Sequence, residues 1–431
     1  MTVPGNVNKT TLSAFLLHLH PRKVHSETLR FTLSFGLGGM AATLLGLLFV
    51  SGILQLLSYT PQIDNAYLSV QLMYGEGEVS GYIRNIHHWA GNVLVVVAFL
   101  HMLRVYLTGA LTDGRRFNWL IGIVLFCVIL FANFTGYLLP WDQLAYWAVT
   151  IFTSMVSYIP VVGDQMSTML RGGAEVGGET LAIFFAIHVG ILPVIILLFS
   201  IYHFWLIRKA GGLIRQQSES SQATLVTSNP HLISKELGVG FTLIALVLLF
   251  SALVDAPLDL QANPGESPNP AKAAWYFLGL QELLLHLHPV FAICVVPTLL
   301  VLGLIGVAYA KDVTLLGGLW FGGRGRGKKA AIWSTIMGGL VVVIFVVADN
   351  FFINGHTGTG GGMLVRGLLP IVSYCGVLVC WFYLWRNKLD CNIAEATMAV
   401  VLLVFSSSLV FTAVGIWFRG KEMSLIFPFG G

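Results

Sequence analysis

The chain has 431 residues, of which 56% are hydrophobic and only 10% charged, whereas soluble globular domains carry about 25% charged residues. Together with a mean hydropathy of +0.80, this leaves too little polar residue to clothe a water-facing surface and excludes a soluble enzyme. The net charge of +4 says little by itself, and no nucleic-acid partner is expected.

The first 30 residues are polar and hold Arg22, Lys23 and Arg30. They contain no short apolar core with a small-residue cleavage site, so no cleavable signal is expected. Nine apolar runs follow, at roughly 33–57, 86–107, 117–138, 181–207, 233–254, 289–309, 331–349, 364–385 and 396–417. Each approaches the ~20 residues needed to cross a bilayer. Backbone in lipid must satisfy its own hydrogen bonds, so all nine read as helices. The expected fold is all-α: a polytopic transmembrane bundle of about nine spans. With the N-terminus cytoplasmic, 18 of the 24 Lys and Arg residues fall on the inside. The positive-inside rule therefore puts the N-terminus in and the C-terminus out. Two outer connections, 139–180 and 255–288, are long enough to carry function. The cysteines Cys127, Cys294, Cys375, Cys380 and Cys391 form no CxxC or CxxCH pairing. They read as small packing residues, which argues against an iron–sulfur cluster or a c-type haem attachment.

Two spans hold two histidines each. His87 and His101 lie 14 apart on the second span, and His188 and His203 lie 15 apart on the fourth. At about 100° and 1.5 Å per residue, each pair shares a helix face, with its members about 21 Å apart along the axis. The two spans run the same way, so His87 faces His188 near the outer side and His101 faces His203 near the inner side. Two facing imidazoles at each of two depths suit axial ligation of two haem irons in a four-helix core. A lone intramembrane histidine would more often be a proton-relay residue. Gly38 and Gly52 on the first span, and Gly122 and Gly136 on the third, repeat the spacing of 14. Glycine allows the close approach that a flat macrocycle between helices needs, although small-residue helix packing would also account for it. Arg84 and Arg104 each lie three residues from a histidine, placed to pair with haem propionates or to snorkel at a membrane edge. His88 points about 100° away from His87 and reads as an edge residue. His18, His20, His25, His231, His286, His288 and His356 lie in tails and loops. His286 and His288 are near the outer face, with a proton-exit role as the alternative.

The stretches RNIHHWAGN (84–92), FLHMLRVYLTG (99–109), GYLLPWDQLAYWAV (136–149), IPVVGDQMSTMLRGGAEVGGETLAIFFAIHVGILP (159–193) and HFWLIRKAG (203–211) resemble cytochrome b. That family forms the core of the quinol:cytochrome c, or plastocyanin, oxidoreductases, and the resemblance covers about residues 20–350. The spacing of 15 on the fourth span is similar to the plastid-type b6 form. Residues 1–215 look like that di-haem half, residues 216–350 like its three-helix partner, subunit IV, fused on one chain, and residues 351–431 add two helices, which could dock a further subunit. The resemblance implies two non-covalent b-type haems and quinol oxidation at an outer site. One electron would pass to a Rieske iron–sulfur protein and on to a c-type cytochrome. The other would cross to an inner quinone site, with protons released outside. It also implies a homodimeric complex. The fusion points to a bacterial cytoplasmic membrane, and a menaquinone is the expected quinone.

Two departures stand out. The family's outer quinol site has a Pro-Glu-Trp-Tyr motif whose glutamate accepts a quinol proton; here Ala273, Ala274, Trp275 and Tyr276 stand there, within NPAKAAWYFLGLQEL. Glu282, about two helical turns beyond Trp275, is the expected substitute, unless it is a simple interface carboxylate. The plastid-type cysteine for an extra covalent haem is replaced by Gly36, so no covalent haem is expected. Arg208 and Lys209 match the family's inner quinone region, where basic residues can steady a quinone carbonyl; they also satisfy the positive-inside pattern. Asp142 and Gln143 are expected to shape the outer pocket. The competing readings are a b-haem anchor subunit of another oxidoreductase, which would lack the PWDQ and AWYFLG loops, and a transporter with histidine proton relays, which would be colourless.

Overall fold

The structure, a computed structural model, describes residues 21–75, 79–111, 114–214, 224–310, 318–323, 325–353 and 362–427. His18, His20 and His356 lie outside the described residues, as do Lys9, Arg215, Lys311 and Arg324 of the charge pattern.

Nine helices among the described residues are long and apolar enough to cross a membrane. Their order defines α1 (Leu37–Gln55), α2 (Val79–Leu107), α3 (Arg116–Leu138), then two short helices α4 (Gln143–Val156) and α5 (Gly163–Arg171). The spans continue as α6 (Gly178–Lys209) and α7 (Ser228–Leu253), then short α8 (Leu278–His286), and finally α9 (Phe291–Tyr309), α10 (Gly325–Phe351), α11 (Leu364–Lys388) and α12 (Ile393–Trp417). The only regular strands among the described residues are β1 (Lys23–His25) and β2 (Leu225–Thr227), paired antiparallel with Val24 opposite Val226. This ladder ties the segment before α1 to the start of α7.

Helices α1, α2, α3 and α6 form the core that carries the paired histidines, with α7 packed on α1 and α2. Leu44, Ala90, Leu94, Ile129 and Val247 fill its centre. The last helix does not stand apart. It lies along α10 and over α8, and its Met398 and Leu402 share one apolar cluster with Tyr106 and Trp119 of the core and with Val307 and Ala331. By contrast α11 is the least buried span, its apolar faces suited to lipid.

Three spans contain a π turn followed within two residues by a proline: Ile187–Ile191 before Pro193, Phe291–Val295 before Pro297, and Leu364–Leu368 before Pro370. Proline supplies no backbone N–H, and a π turn accommodates that gap by taking in an extra residue. Gly36, at φ 67°, starts α1 in the left-handed region, and a Cβ there would come within 3.1 Å of Val239.

Candidate functional site

The first of these π turns contains His188. It accounts for the spacing of 15 on α6 against 14 on α2. One turn with an extra residue makes 15 residues cover about the angle and rise of 14 in regular α-helix. His188 and His203 are thereby returned to one face, at the same two levels as His87 and His101.

The rings do face each other. The centroids of His87 and His188 are 6.2 Å apart, and those of His101 and His203 are 6.5 Å apart. Two imidazoles on opposite faces of one metal ion, at about 2 Å per metal–nitrogen bond, have ring centres about 6 Å apart. Each of the four glycines backs one of these rings. A Cβ added at Gly136 would lie 2.5 Å from His188 Cε1, at Gly52 3.1 Å from His87 Cε1, at Gly38 3.2 Å from His101 Cε1, and at Gly122 3.8 Å from His203 Cε1. The spacing of 14 therefore serves the imidazoles one by one.

Hydrogen bonds orient the rings at the His87 end. His188 Nδ1 is 3.0 Å from the Ala132 carbonyl, which can only accept, so Nδ1 carries the hydrogen and Nε2 keeps a lone pair for a metal. Thr135 Oγ1 lies 3.2 Å from the same nitrogen. His87 Nδ1 is 3.0 Å from Ser51 Oγ, whose own hydrogen goes to the Leu47 carbonyl at 2.7 Å. Ser51 is thus an acceptor, and His87 takes the same tautomer. Sequence reasoning missed Ser51; it lies one position before Gly52 and carries no motif of its own.

The arginines separate. Arg84 clamps the chain after α7, donating to the carbonyls of Ala256 at 2.9 Å and Pro257 at 2.8 Å and to the Tyr74 hydroxyl. Arg104 donates Nε to the Leu33 carbonyl at 2.8 Å, while its buried Nη2 has no hydrogen-bond partner. A buried guanidinium nitrogen left over beside the His101–His203 pair suits an anionic group such as a propionate. The glycine cradles, the ring spacings, the tautomers and this nitrogen together fit a haem at each level. Among the described residues no group of three or more His, Cys, Asp or Glu could hold a metal ion.

The two long connections, 139–180 and 255–288, are stapled together. Asp142 caps α4 through Ala145 N at 2.9 Å and accepts from Asp259 N at 3.1 Å. Burial pushes its carboxyl up, against the pull of these two N–H groups. Gln143 accepts from Asn263 N at 2.6 Å and donates to the Glu266 carbonyl. Beside this staple lies a narrow apolar cleft with a cavity volume of about 20 Å³, lined by Phe134, Ala148, Phe152, Ala273, Ala274 and Gln281 among others. Trp275 and Tyr276 flank it. Trp275 donates to Asn92 Oδ1 at 2.6 Å, and Tyr276 packs between the four-helix core and the apolar cluster around Phe134 and Phe184.

Glu282 is not on the cleft wall, where a direct proton acceptor would stand. It is fully buried, and both its oxygens are held by Arg419 Nε, at 3.1 and 3.0 Å. Its sequence neighbour Gln281 faces the cleft instead, because the two point about 100° apart on α8. His286 is likewise not a loop residue: it ends α8 and is 2% exposed. At the other end of the bundle, Lys209 lies exposed with Nζ 5.2 Å from the Trp205 ring centre, and Arg208 is half-buried beside it.

Four helices presenting two facing histidine pairs define a membrane cytochrome. The family described as Cytochrome b/b6/petB matches residues 23–211. Cytochrome b6 of Heliobacterium mobile is 43% identical over 194 residues, 44% of this chain and 88% of that protein. Cytochrome b6 of Picosynechococcus is 41% identical over 175 residues, 41% of this chain and 79% of the relative. A solved structure of a hyperthermophilic respiratory Complex III aligns with a TM-score of 0.66 over 95% of this chain and 98% of its own, at 20% identity, a likeness of fold. The chain belongs to the cytochrome b/b6 family, and b-type haem binding comes with that membership.

Proposed function

We propose that the chain is the cytochrome b subunit of a bc-type complex, oxidising quinol at one face of the membrane and passing electrons across it through two haems. The observation that carries this reading is the geometry of the two imidazole pairs, each ring backed by its own glycine. His87 with His188 would hold the outer haem and His101 with His203 the inner one, each supplying one-electron transfer when bound. Ser51, Thr135 and the Ala132 carbonyl orient the outer imidazoles, and Arg104 offers its free nitrogen to the inner group.

Quinol would enter the cleft between α4 and the Ala273–Gln281 stretch, with Phe134, Phe152 and Phe277 excluding water and Trp275 and Tyr276 holding its edge. Arg208 and Lys209 would serve an inner quinone. The partners that fit are a Rieske iron–sulfur protein and a c-type cytochrome, in a homodimeric complex with menaquinone in a bacterial cytoplasmic membrane. The N-terminus would be inside and the C-terminus outside. In this reading residues 1–215 form the di-haem half, 216–350 the subunit IV-like half, and 351–431 two added helices. Gly36 offers no thiol, consistent with purely non-covalent haem.

The test is quinol-driven reduction of a c-type cytochrome by the purified complex. Phe134→Trp, which fills the cleft, should abolish it and leave haem content unchanged. Undiminished turnover in that variant would remove the quinol site from this cleft.

A further inference from the structure

Behind the cleft wall a buried cluster of ionisable groups joins three elements. His286 Nδ1 is 2.6 Å from Asp349 Oδ2 near the end of α10, and Nε2 is 3.0 Å from Glu282 Oε1 one turn back on α8. Arg419, two residues beyond α12, closes the group. It grips Glu282, lies with Nη2 3.2 Å from His286 Nε2, and donates Nη1 to the Met423 carbonyl at 3.0 Å and to Asn350 Oδ1 at 3.3 Å. Glu282, His286, Asp349 and Arg419 are all at most 3% exposed. Burying four such groups is costly unless they pair, and clusters of this kind concentrate at functional sites.

Proton counting makes it more than a staple. A nitrogen facing a carboxylate carries a hydrogen, so Nδ1 donates to Asp349. Nε2 has two neighbours with opposite demands. Glu282 Oε1 asks for a proton on it, whereas Arg419 Nη2, a donor only, asks for a lone pair. The cluster thus has two hydrogen-bonded states one proton apart. Burial works against the charged ring, but Asp349 and Glu282 outweigh it and raise the His286 pKa above the ordinary value.

Glu282 of the cluster follows Gln281 of the cleft wall directly in sequence. Gln281 lines the cleft and clamps the backbone of Ala271 and Ala273 through its amide. Between these, Lys272 donates Nζ to the Ile416 carbonyl at 2.9 Å, three residues before Arg419, and feels the charge of Glu282. Among the described residues none lining the cleft carries a carboxylate, yet a quinol losing electrons there must lose protons too. Also packed around His286 are the Phe345 ring, at 5.4 Å between centres, and Asn350 beyond Arg419.

We propose that the Glu282–His286–Asp349 cluster, held by Arg419, is the proton relay of the outer quinol site. The proposal rests on the quinol-oxidising function above. In that reading the quinol would give up two protons along with two electrons, the electrons going to the Rieske partner and to the haem that His87 and His188 would hold. The relay turns over twice per quinol: each proton in turn arrives at His286 Nε2, converting imidazole to imidazolium as its contact shifts from Arg419 to Glu282. It then leaves to water at the outer face, restoring the neutral ring. The two helices beyond the subunit IV-like part thereby complete the site, because Arg419 comes from their end.

The experiment is stopped-flow reduction of the outer haem by quinol in the assembled complex, across roughly pH 5.5 to 9, the range in which a histidine titrates. His286→Gln and Glu282→Gln should slow the step about tenfold or more and flatten its pH profile, with haem spectra and quinol KM unchanged. A wild-type rate and pH profile in assembled variants overturns the relay. Should those variants not assemble, the infrared difference spectrum of the wild type over one turnover decides. An imidazolium or carboxyl band that shifts in Arg419→Lys supports the relay, and its absence overturns it. If the wild type itself fails to oxidise quinol, the functional reading falls and the relay with it.

Discussion

Gly136→Ala tests how the imidazoles are seated. The new Cβ would lie 2.5 Å from His188 Cε1, 3.0 Å from Nε2 and 3.1 Å from Nδ1. The ring cannot rotate away without losing its hydrogen bond to the Ala132 carbonyl at 3.0 Å, worth about 1 kcal/mol. Overpacking of this kind costs about 1–3 kcal/mol, against which alanine returns about 1 kcal/mol of helix propensity. The net effect disfavours His188 as a ligand. At Gly122 the same Cβ meets His203 at 3.8 Å, an ordinary contact, so there the propensity gain prevails. Haem content and redox-titrated α-bands of the four alanine variants should therefore rank Gly136 as most damaged, Gly52 and Gly38 as intermediate, and Gly122 as nearly normal. The damage in Gly136→Ala should fall on the component assigned to His87 and His188. Equal losses at all four glycines, or Gly122→Ala as the worst, would refute the reasoning.

Ser51→Ala removes the acceptor for His87 Nδ1. A less basic ligand should raise the midpoint potential of the outer haem and leave the inner one unmoved, as read by potentiometric titration. Arg104→Gln removes a buried positive charge next to the inner pair and should lower that haem's midpoint by on the order of 40 mV; an unchanged value would detach Arg104 from the site. Asp142→Ala loses a helix cap and a second backbone contact and should destabilise the outer loops by about 1–2 kcal/mol, seen as faster proteolysis between residues 257 and 268. The cluster behind the cleft sets a pH dependence. The His286 pKa is raised above 6.5, so its contribution is full below that value and fades as pH rises through the folded pKa. The Glu282 pKa is lowered below 4.5; burial alone would raise it, but His286 and Arg419 prevail. Its contribution is full above 4.5 and lost as pH falls through the folded value. Hydrogen-exchange protection of residues 418–426 should thus be greatest between these values and decline on the alkaline side; protection that grows steadily with pH would contradict it.

All nine spans were legible in the sequence, because an uninterrupted apolar run in lipid has one structural outcome. Their ends moved most where polar residues extend a helix beyond the apolar stretch, as in α2, which begins at Val79 rather than near residue 86. The histidine and glycine spacings were equally legible, since they record helix geometry directly. The π turn at Ile187–Ile191 was not, although Pro193 marks its place. The helices α4 and α5 within the outer connection were also missed, being too short to register as spans. Arg419 could not have been paired with Glu282 from sequence, as 137 positions separate them. Only the packing of α12 over α8 brings them together.

The most direct test of the account is a redox-titrated visible spectrum of the purified protein, repeated for His87→Ala and His203→Ala. Two b-type components with separate midpoint potentials are predicted, the first variant losing one and the second the other. A single component, or the loss of both on either substitution, would contradict the two-level arrangement.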